Sequence, residues 1–171
     1  MFNQVSIIGC GLIGSSIFKG LKKIGFIKKI FTYDKDKTVT EIIKKDKLSD
    51  EIFNSAGEAV KNSDLVVIAT PISSFESVLN SIKDNLKIGS ILTDTCSVKI
   101  GVVKIFNKLN IKNSIYIPGH PVAGIENSGP KAGTADLFKN RWTILTPNKD
   151  IDEKTIKKVS NFWESMGSKV K

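Results

Sequence analysis

The chain has 171 residues, of which 40% are hydrophobic and 25% are charged. This balance gives enough apolar mass for the core of one compact domain and excludes a disordered chain. The net charge is +9, but Arg141 is the only arginine and the lysines form no dense block. We interpret them as solvated helix surfaces that attract a small anionic substrate or a dinucleotide, and we expect no nucleic-acid partner.

In chain order, hydrophobic periodicity predicts strand 5–8, helix 12–23, strand 29–33, helix 39–45, strand 51–53, strand 64–69, helix 73–83, strand 90–94, helix 99–108, strand 115–117, strand 142–146 and helix 152–166. Residues 64–69 form a continuous apolar run, which is typical of a parallel strand buried on both faces. Serines at the start of helix 73–83 are predicted to cap it. Gly25 and Gly167 are predicted to end the helices that precede them.

Alternating strands and helices predict an α/β fold of the Rossmann type. Its sheet should be doubly wound and mainly parallel, with helices on both faces, and we expect residues 1–171 to form one dinucleotide-binding domain. Residues 118–139 interrupt the alternation with four glycines and little periodicity. An irregular segment of this length inside a compact domain is usually functional.

Cysteine usage and hydropathy bear on metal binding and location. Cys10 and Cys96 have no CxxC spacing and no accompanying histidines, so we predict no metal site. They follow strands that lie two apart in a Rossmann sheet, about 9–10 Å, which is too far for a disulfide. Free thiols fit a reducing compartment, and we expect the cytoplasm. Residues 5–18 are apolar but follow no positive residue and are too short to span a bilayer, so we predict no targeting segment and no membrane contact.

A glycine motif, Gly-Cys-Gly-Leu-Ile-Gly at residues 9–14, directly follows the first predicted strand and opens the first helix. Gly9 would allow the tight turn, Gly11 the approach of a pyrophosphate and Gly14 the close packing of helix on strand. The amides at the helix start, which include those of Leu12 and Ile13, would bind the phosphates.

Asp34 lies 20 residues beyond Gly14, at the end of the second predicted strand. A carboxylate at this position accepts hydrogen bonds from the adenosine ribose and repels a 2′-phosphate, so we expect NAD rather than NADP. Lys35 and Lys37 weaken that preference because their charges offset the repulsion. Thr70 and Pro71, which end strand 64–69, are further predicted cofactor contacts.

His120 is the only histidine, and it lies in the glycine-rich segment after strand 115–117. Its ordinary pKa suits it to accept the hydroxyl proton that must leave during hydride transfer to nicotinamide. Ser97, in the Asp-Thr-Cys-Ser-Val-Lys stretch at 94–99, could share that hydroxyl or orient the imidazole. The carboxyl ends of strands are where open α/β sheets bind ligands, so we predict His120 and Ser97 as catalytic residues.

The sequence resembles the prephenate/arogenate (cyclohexadienyl) dehydrogenases of tyrosine biosynthesis. The resemblance rests on the motif at 9–16, the stretches 64–71, 94–99 and 144–147, and above all the block His-Pro-Val-Ala-Gly-Ile-Glu-Asn-Ser-Gly at 120–129. It implies NAD-dependent oxidative decarboxylation without a metal. In that family the histidine matching His120 assists deprotonation of the ring hydroxyl, the serine matching Ser97 contacts substrate and nicotinamide, and the acid matching Glu126 lies near the substrate.

Members of this family continue into a helical domain that forms a dimer interface and closes the substrate pocket. We expect that domain to be absent, and therefore expect residues 1–171 to bind NAD but to turn over prephenate poorly alone. A homodimer, or association with a separate helical domain, stays open. Two alternatives also stay open: another Rossmann hydroxyacid dehydrogenase domain, and a non-catalytic NAD-binding protein.

Overall fold

A computed structural model describes residues 2–25 and 27–171. Among these residues, six parallel strands form the main sheet in the order β3-β2-β1-β4-β5-β6. The strands are β1 (Gln4–Ile8), β2 (Lys29–Tyr33), β3 (Glu51–Ile52), β4 (Leu65–Ile68), β5 (Ser90–Asp94) and β6 (Ser114–Ile117). The order reverses between β1 and β4, which makes the fold doubly wound, and the predicted Rossmann-type architecture is confirmed.

Helices cover both faces of the sheet: α1 (Leu12–Ile24), α2 (Lys37–Lys45), α3 (Ala56–Ala59), α4 (Phe75–Ile82), α5 (Lys99–Lys108) and α6 (Glu153–Ser165). Alternate residues of β4 pack into two separate hydrophobic cores, because successive side chains of a strand point to opposite faces. Leu65 and Val67 join the core beneath α1 and α6, while Val66 and Ile68 join the core beneath α3, α4 and α5. None of the described helices has both the length and the apolar composition that crossing a bilayer requires.

Helix ends follow the local sequence in most places. Gly25 adopts the left-handed conformation, with φ 71°, and its N–H donates to the carbonyl of Leu21, which ends α1 as predicted. The Asp152 side chain caps α6 by accepting from the Thr155 N–H. The predicted serine cap of α4 is wrong for Ser74, which makes no capping bond. A 3-10 turn, Ile72–Ser74, precedes this helix, so Ser74 already has helical rather than extended dihedrals.

A second, three-stranded sheet begins within residues 118–139, for which the sequence predicts no regular structure, and continues in the chain that follows. Strand β7 (Gly119–Pro121) pairs antiparallel with β8 (Trp142–Leu145), and β9 (Lys169–Val170) pairs parallel with β8. The bounds of β2, β5 and α5 agree with the predicted ones. Helix α3 and strand β7 were not predicted, because a four-residue helix is only about one turn long and the Gly-His-Pro sequence of β7 has neither an apolar run nor an alternating pattern.

Candidate functional site

Four strands of the main sheet end on one row. Ile8 at the end of β1 pairs with Tyr33 of β2 and with Ile68 of β4, and Ile68 pairs with Asp94 of β5. The residues that follow these strands therefore emerge together along one edge, which we call the carboxyl edge. Asp34, the glycine motif, Thr70 and Ser97 all follow strands of this row, so the topology brings the predicted cofactor residues and Ser97 to the same edge.

The glycine loop has the close contacts that its sequence predicts. Gly9 has φ 94°, and a Cβ built there would lie 2.7 Å from Cγ2 of Thr70. A Cβ at Gly14 would lie only 2.0 Å from the carbonyl oxygen of Gly9, so α1 approaches its strand more closely than any side chain allows. Among the described residues, no side chain caps the first turn of α1 and no acidic residue occupies it. Its amides are thus free for an anion.

A cavity of about 510 Å³ opens beside this loop. We call it the glycine-loop cavity. Five of the predicted cofactor residues line it: Gly9, Gly11, Asp34, Thr70 and Pro71. Leu12, Ile13 and Gly14 do not line it. The side chains of Leu12 and Ile13 pack against the core, so any contact of theirs with a ligand would come from backbone amides at the start of α1.

Asp34 is held in place by two backbone amides. Its Oδ2 accepts from the Cys10 N–H at 2.7 Å, and its Oδ1 accepts from the Asp36 N–H at 2.9 Å. The carboxylate therefore faces the glycine loop in a fixed orientation, as a ribose-binding acid requires. Lys35 lines the same cavity, where its positive charge could offset the repulsion between Asp34 and a 2′-phosphate.

Several cavity residues were not predicted. Tyr33, Val39 and Val78 give the cavity apolar walls, and Gly129 and Pro130 reach it from the segment that follows β7. Tyr33 could have been predicted to contact the cofactor, because it directly precedes Asp34. Nothing in the sequence places Gly129 and Pro130 at the cavity, because only the tertiary structure brings their segment to α1.

The return of that segment to α1 is held by two hydrogen bonds and by an exposed ion pair between Lys23 and Asp136. Lys19 donates to the carbonyl of Gly133 at 2.7 Å, and the Thr134 N–H donates to Oγ of Ser16 at 3.1 Å. A Cβ at Gly133 would lie 2.1 Å from Oγ of Ser15, so the backbone sits directly on the helix. These contacts hold the part of the chain that carries Gly129 and Pro130 over the glycine-loop cavity.

The cysteine within the glycine motif is structural. Cys10 is buried, and its Sγ lies 2.9 Å from Oγ1 of Thr32. Burial raises the pKa of this thiol to about 12, so it is protonated and a poor nucleophile at neutral pH. Burial likewise raises the pKa of Cys96 to about 12. Both cysteines are free, as predicted, and both are buried.

His120 lies at the centre of β7, opposite Ile144 of β8, and is half-buried. Burial lowers its pKa, and the positive charge of Lys99 lowers the pKa further, while the carboxylate of Asp94 acts in the opposite direction. The imidazole is therefore neutral near pH 7 and able to accept a proton.

Asp94 forms a buried hub next to His120. Its side chain is fully buried and accepts from the Tyr116 hydroxyl at 2.8 Å, the Cys96 N–H at 2.9 Å, the Gly119 N–H at 3.2 Å and the Lys99 ammonium at 2.5 Å. Burial, followed by the charge of Asp94, raises the pKa of Tyr116, so its hydroxyl remains a donor. Within the stretch 94–99, the sequence analysis predicts a role only for Ser97.

Ser97 and Glu126 are exposed on loops, after β5 and after β7 respectively. Within the described part of the chain, neither side chain has a hydrogen-bond partner, and neither lines the glycine-loop cavity. The structure thus brings Ser97 to the carboxyl edge without fixing its side chain. Glu126 lies in the loop between β7 and Gly129, and of the two ends of this segment Gly129 lines the cavity whereas His120 does not.

A family model described as prephenate dehydrogenase, nucleotide-binding domain, matches residues 17–171. The chain belongs to the prephenate dehydrogenase family. The match begins inside α1, so the glycine motif is independent support for nucleotide binding. The resemblance inferred from the block at 120–129 is confirmed.

Relatives and solved structures named cyclohexadienyl, prephenate and arogenate dehydrogenases agree with this assignment. The cyclohexadienyl dehydrogenase of Zymomonas mobilis is 35% identical over 170 residues, covering 99% of this chain and 58% of the relative. A prephenate dehydrogenase structure from A. aeolicus, in complex with hydroxyphenyl propionate and NAD+, matches with a TM-score of 0.87 and 30% identity, covering 100% of this chain and 59% of that one. The structure of the Synechocystis arogenate dehydrogenase matches with a TM-score of 0.88 and 25% identity, covering 98% of this chain and 58% of that one.

This chain thus spans less than two thirds of the length of these relatives. It corresponds to the nucleotide-binding part of an oxidoreductase family.

Proposed function

We propose that this chain binds NAD in the glycine-loop cavity and supplies the proton-accepting histidine for the oxidative decarboxylation of prephenate or arogenate in tyrosine biosynthesis. The observation that carries the proposal is the position of His120. A neutral, half-buried imidazole lies on the strand that begins beside Asp94, and its loop continues to Gly129 at the cavity.

In the proposed reaction, His120 accepts the proton of the ring hydroxyl of the substrate. NAD held at the glycine loop would supply the hydride acceptor for the carbon that carries this hydroxyl. The ring carboxylate leaves as carbon dioxide, and its bonding electrons complete the aromatic ring. Ser97 is proposed to contact the same hydroxyl, and Glu126 to arrange the substrate from the loop after β7. Both side chains are exposed and free to turn toward a ligand.

The proposed preference for NAD over NADP depends on Asp34. Two amides fix its carboxylate beside the glycine loop, where it can accept hydrogen bonds from the adenosine ribose. A 2′-phosphate at this position would meet a fixed negative charge. The apolar walls formed by Tyr33, Val39 and Val78 suit the adenine ring that would lie beyond the ribose.

The partners that we propose are a small anionic substrate, drawn by the net charge of +9, and the region that the relatives have beyond the part matched by this chain. That region could be supplied in the same polypeptide, as a separate helical domain, or in a homodimer. Two buried free thiols fit the proposed location in the cytoplasm.

Calorimetric titration of residues 1–171 with NAD and with NADP tests the cofactor proposal. We expect NAD to bind more tightly, and we expect Asp34→Asn to weaken NAD binding and to reduce the preference over NADP. Asp150→Asn is the matched control, because Asp150 is exposed and does not line the cavity. Failure of the unaltered chain to bind NAD would refute the proposal.

Turnover is tested separately, by adding prephenate or arogenate together with a helical domain from a relative. We expect NADH to form in this mixture and His120→Gln to abolish it. NAD binding without turnover in every mixture would instead support a non-catalytic role. Activity with small hydroxyacids rather than with prephenate or arogenate would support the other dehydrogenase class.

A further inference from the structure

A buried ion pair connects the end of β5 to the start of α5. Asp94 is the last residue of β5 and is fully buried, and the side chain of Lys99, the first residue of α5, is only 18% exposed. Their charged groups are 2.5 Å apart. A buried pair is not by itself a stabilising device, because removing both charges from water is costly. The same two side chains also contact the backbone of Gly119, which suggests a role in positioning that residue.

The same pair holds the peptide groups on both sides of Gly119. Asp94 Oδ1 accepts from the Gly119 N–H at 3.2 Å, and Lys99 Nζ donates to the Gly119 carbonyl at 2.5 Å. The backbone also passes close to β5, because a Cβ built at Gly119 would lie 2.9 Å from the Asp94 carbonyl oxygen. The residue immediately before His120 is therefore clamped by both members of one ion pair.

We propose that Asp94 and Lys99 are positioning residues, which hold the start of β7 so that His120 is presented at a fixed place on the carboxyl edge. The catalytic importance of this placement rests on the function proposed above, whereas the placement itself rests on the contacts. The opposite side of β7 is held by β8, where Ile144 pairs with His120. A histidine on a three-residue strand needs such support, because so short a strand is weakly determined by its own pairing.

The pair also acts on His120 through its charges. Lys99 lowers the pKa of His120 and Asp94 raises it, in addition to the larger lowering by burial. Strand β8 presents the apolar Ile144 on its side. Loss of the Lys99 charge should therefore raise the pKa of His120, and release of the clamp should raise it further by exposing the imidazole to water.

Titration of His120 by NMR tests the proposal directly, because the chain has a single histidine and its imidazole signals need no assignment. The measurement uses residues 1–171 without cofactor, together with hydrogen exchange of the His120 amide. The variants are Lys99→Met, which removes charge and clamp, and Lys99→Arg, which keeps the charge. Lys104→Met is the matched control, because Lys104 lies exposed on the same helix.

We expect Lys99→Met to raise the pKa of His120 and to speed exchange of its amide. Lys99→Arg should restore the pKa toward that of the unaltered chain, and Lys104→Met should change neither. If Lys99→Met fails to fold, Asp94→Asn replaces it, with faster exchange of the His120 amide as the expected result. An unchanged His120 in a folded Lys99→Met or Asp94→Asn variant would overturn the proposal.

These outcomes are independent of cofactor binding. If the unaltered chain does not bind NAD but Lys99→Met still raises the pKa of His120, the proposed function fails and the positioning role stands. If NAD binds and the titration of His120 is unchanged in the variant, the positioning role fails and the proposed cofactor binding stands.

Discussion

Gly14 and Gly101 each occupy the third residue of a helix, α1 and α5, but their surroundings differ sharply. A Cβ at Gly14 would lie 2.0 Å from the carbonyl oxygen of Gly9, a backbone atom that cannot rotate away. The nearest atom to a Cβ at Gly101 would be Cδ1 of Ile72, at an ordinary contact distance of 3.8 Å. We therefore expect one substitution, glycine to alanine, to have opposite effects at the two positions.

The magnitudes follow from two competing effects. Alanine in place of a helical glycine stabilises by about 0.5–1 kcal/mol, because glycine loses more backbone entropy on folding. Gly101→Ala should gain this amount, which corresponds to roughly 1–4 °C in Tm for a chain of this size. At Gly14 the gain opposes an overpacking cost of about 1–3 kcal/mol or more. Because the obstructing atom belongs to the backbone, the upper end of this cost applies, and Gly14→Ala should lose about 2 kcal/mol or more and weaken NAD binding by displacing the glycine loop.

Urea denaturation followed by far-UV circular dichroism measures both free energies of unfolding, and calorimetry measures NAD binding. Gly101→Ala controls for the general effect of alanine at this helical position. If Gly14→Ala were as stable as Gly101→Ala and bound NAD equally well, the close approach of α1 to the glycine loop would not be required, and the reasoning would be refuted.

Two further predictions concern the supporting structure. Burial raises the pKa of Asp64, but hydrogen bonds, first from Lys87, outweigh it and lower the pKa, so Asp64→Asn should destabilise at neutral pH. Because a lowered pKa contributes its full stability above the unfolded value, the difference should shrink in denaturation experiments as the pH falls below about 4 and disappear below the lowered pKa of the folded protein. Ser6 is buried and donates to the Ala59 carbonyl at 2.5 Å, so Ser6→Ala should lose about 1–3 kcal/mol in urea denaturation. The exposed Ser73→Ala should change stability by less than about 0.5 kcal/mol, and an equal loss in both serine variants would contradict this account.

Sequence reasoning succeeded where the signal is local. Strand β4 is uniformly buried and uniformly apolar, and Gly25 ends α1 through a left-handed conformation that few other residues adopt. It failed for β7, whose Gly-His-Pro sequence shows no alternation. This strand exists because β8, more than 20 residues later, supplies the pairing partner.

The amino-acid sequence by itself determined the Rossmann-type fold, the glycine loop with Asp34, and the choice of His120 as the titrating group. These conclusions depend on residue types and their spacing along the chain, which can be read without knowing the tertiary contacts. The tertiary structure alone decided that Asp94 and Lys99 clamp Gly119, and that Gly129 reaches the cavity. Each of these contacts joins segments about 20 or more residues apart, and their meeting depends on strand order and loop closure, which no local pattern encodes.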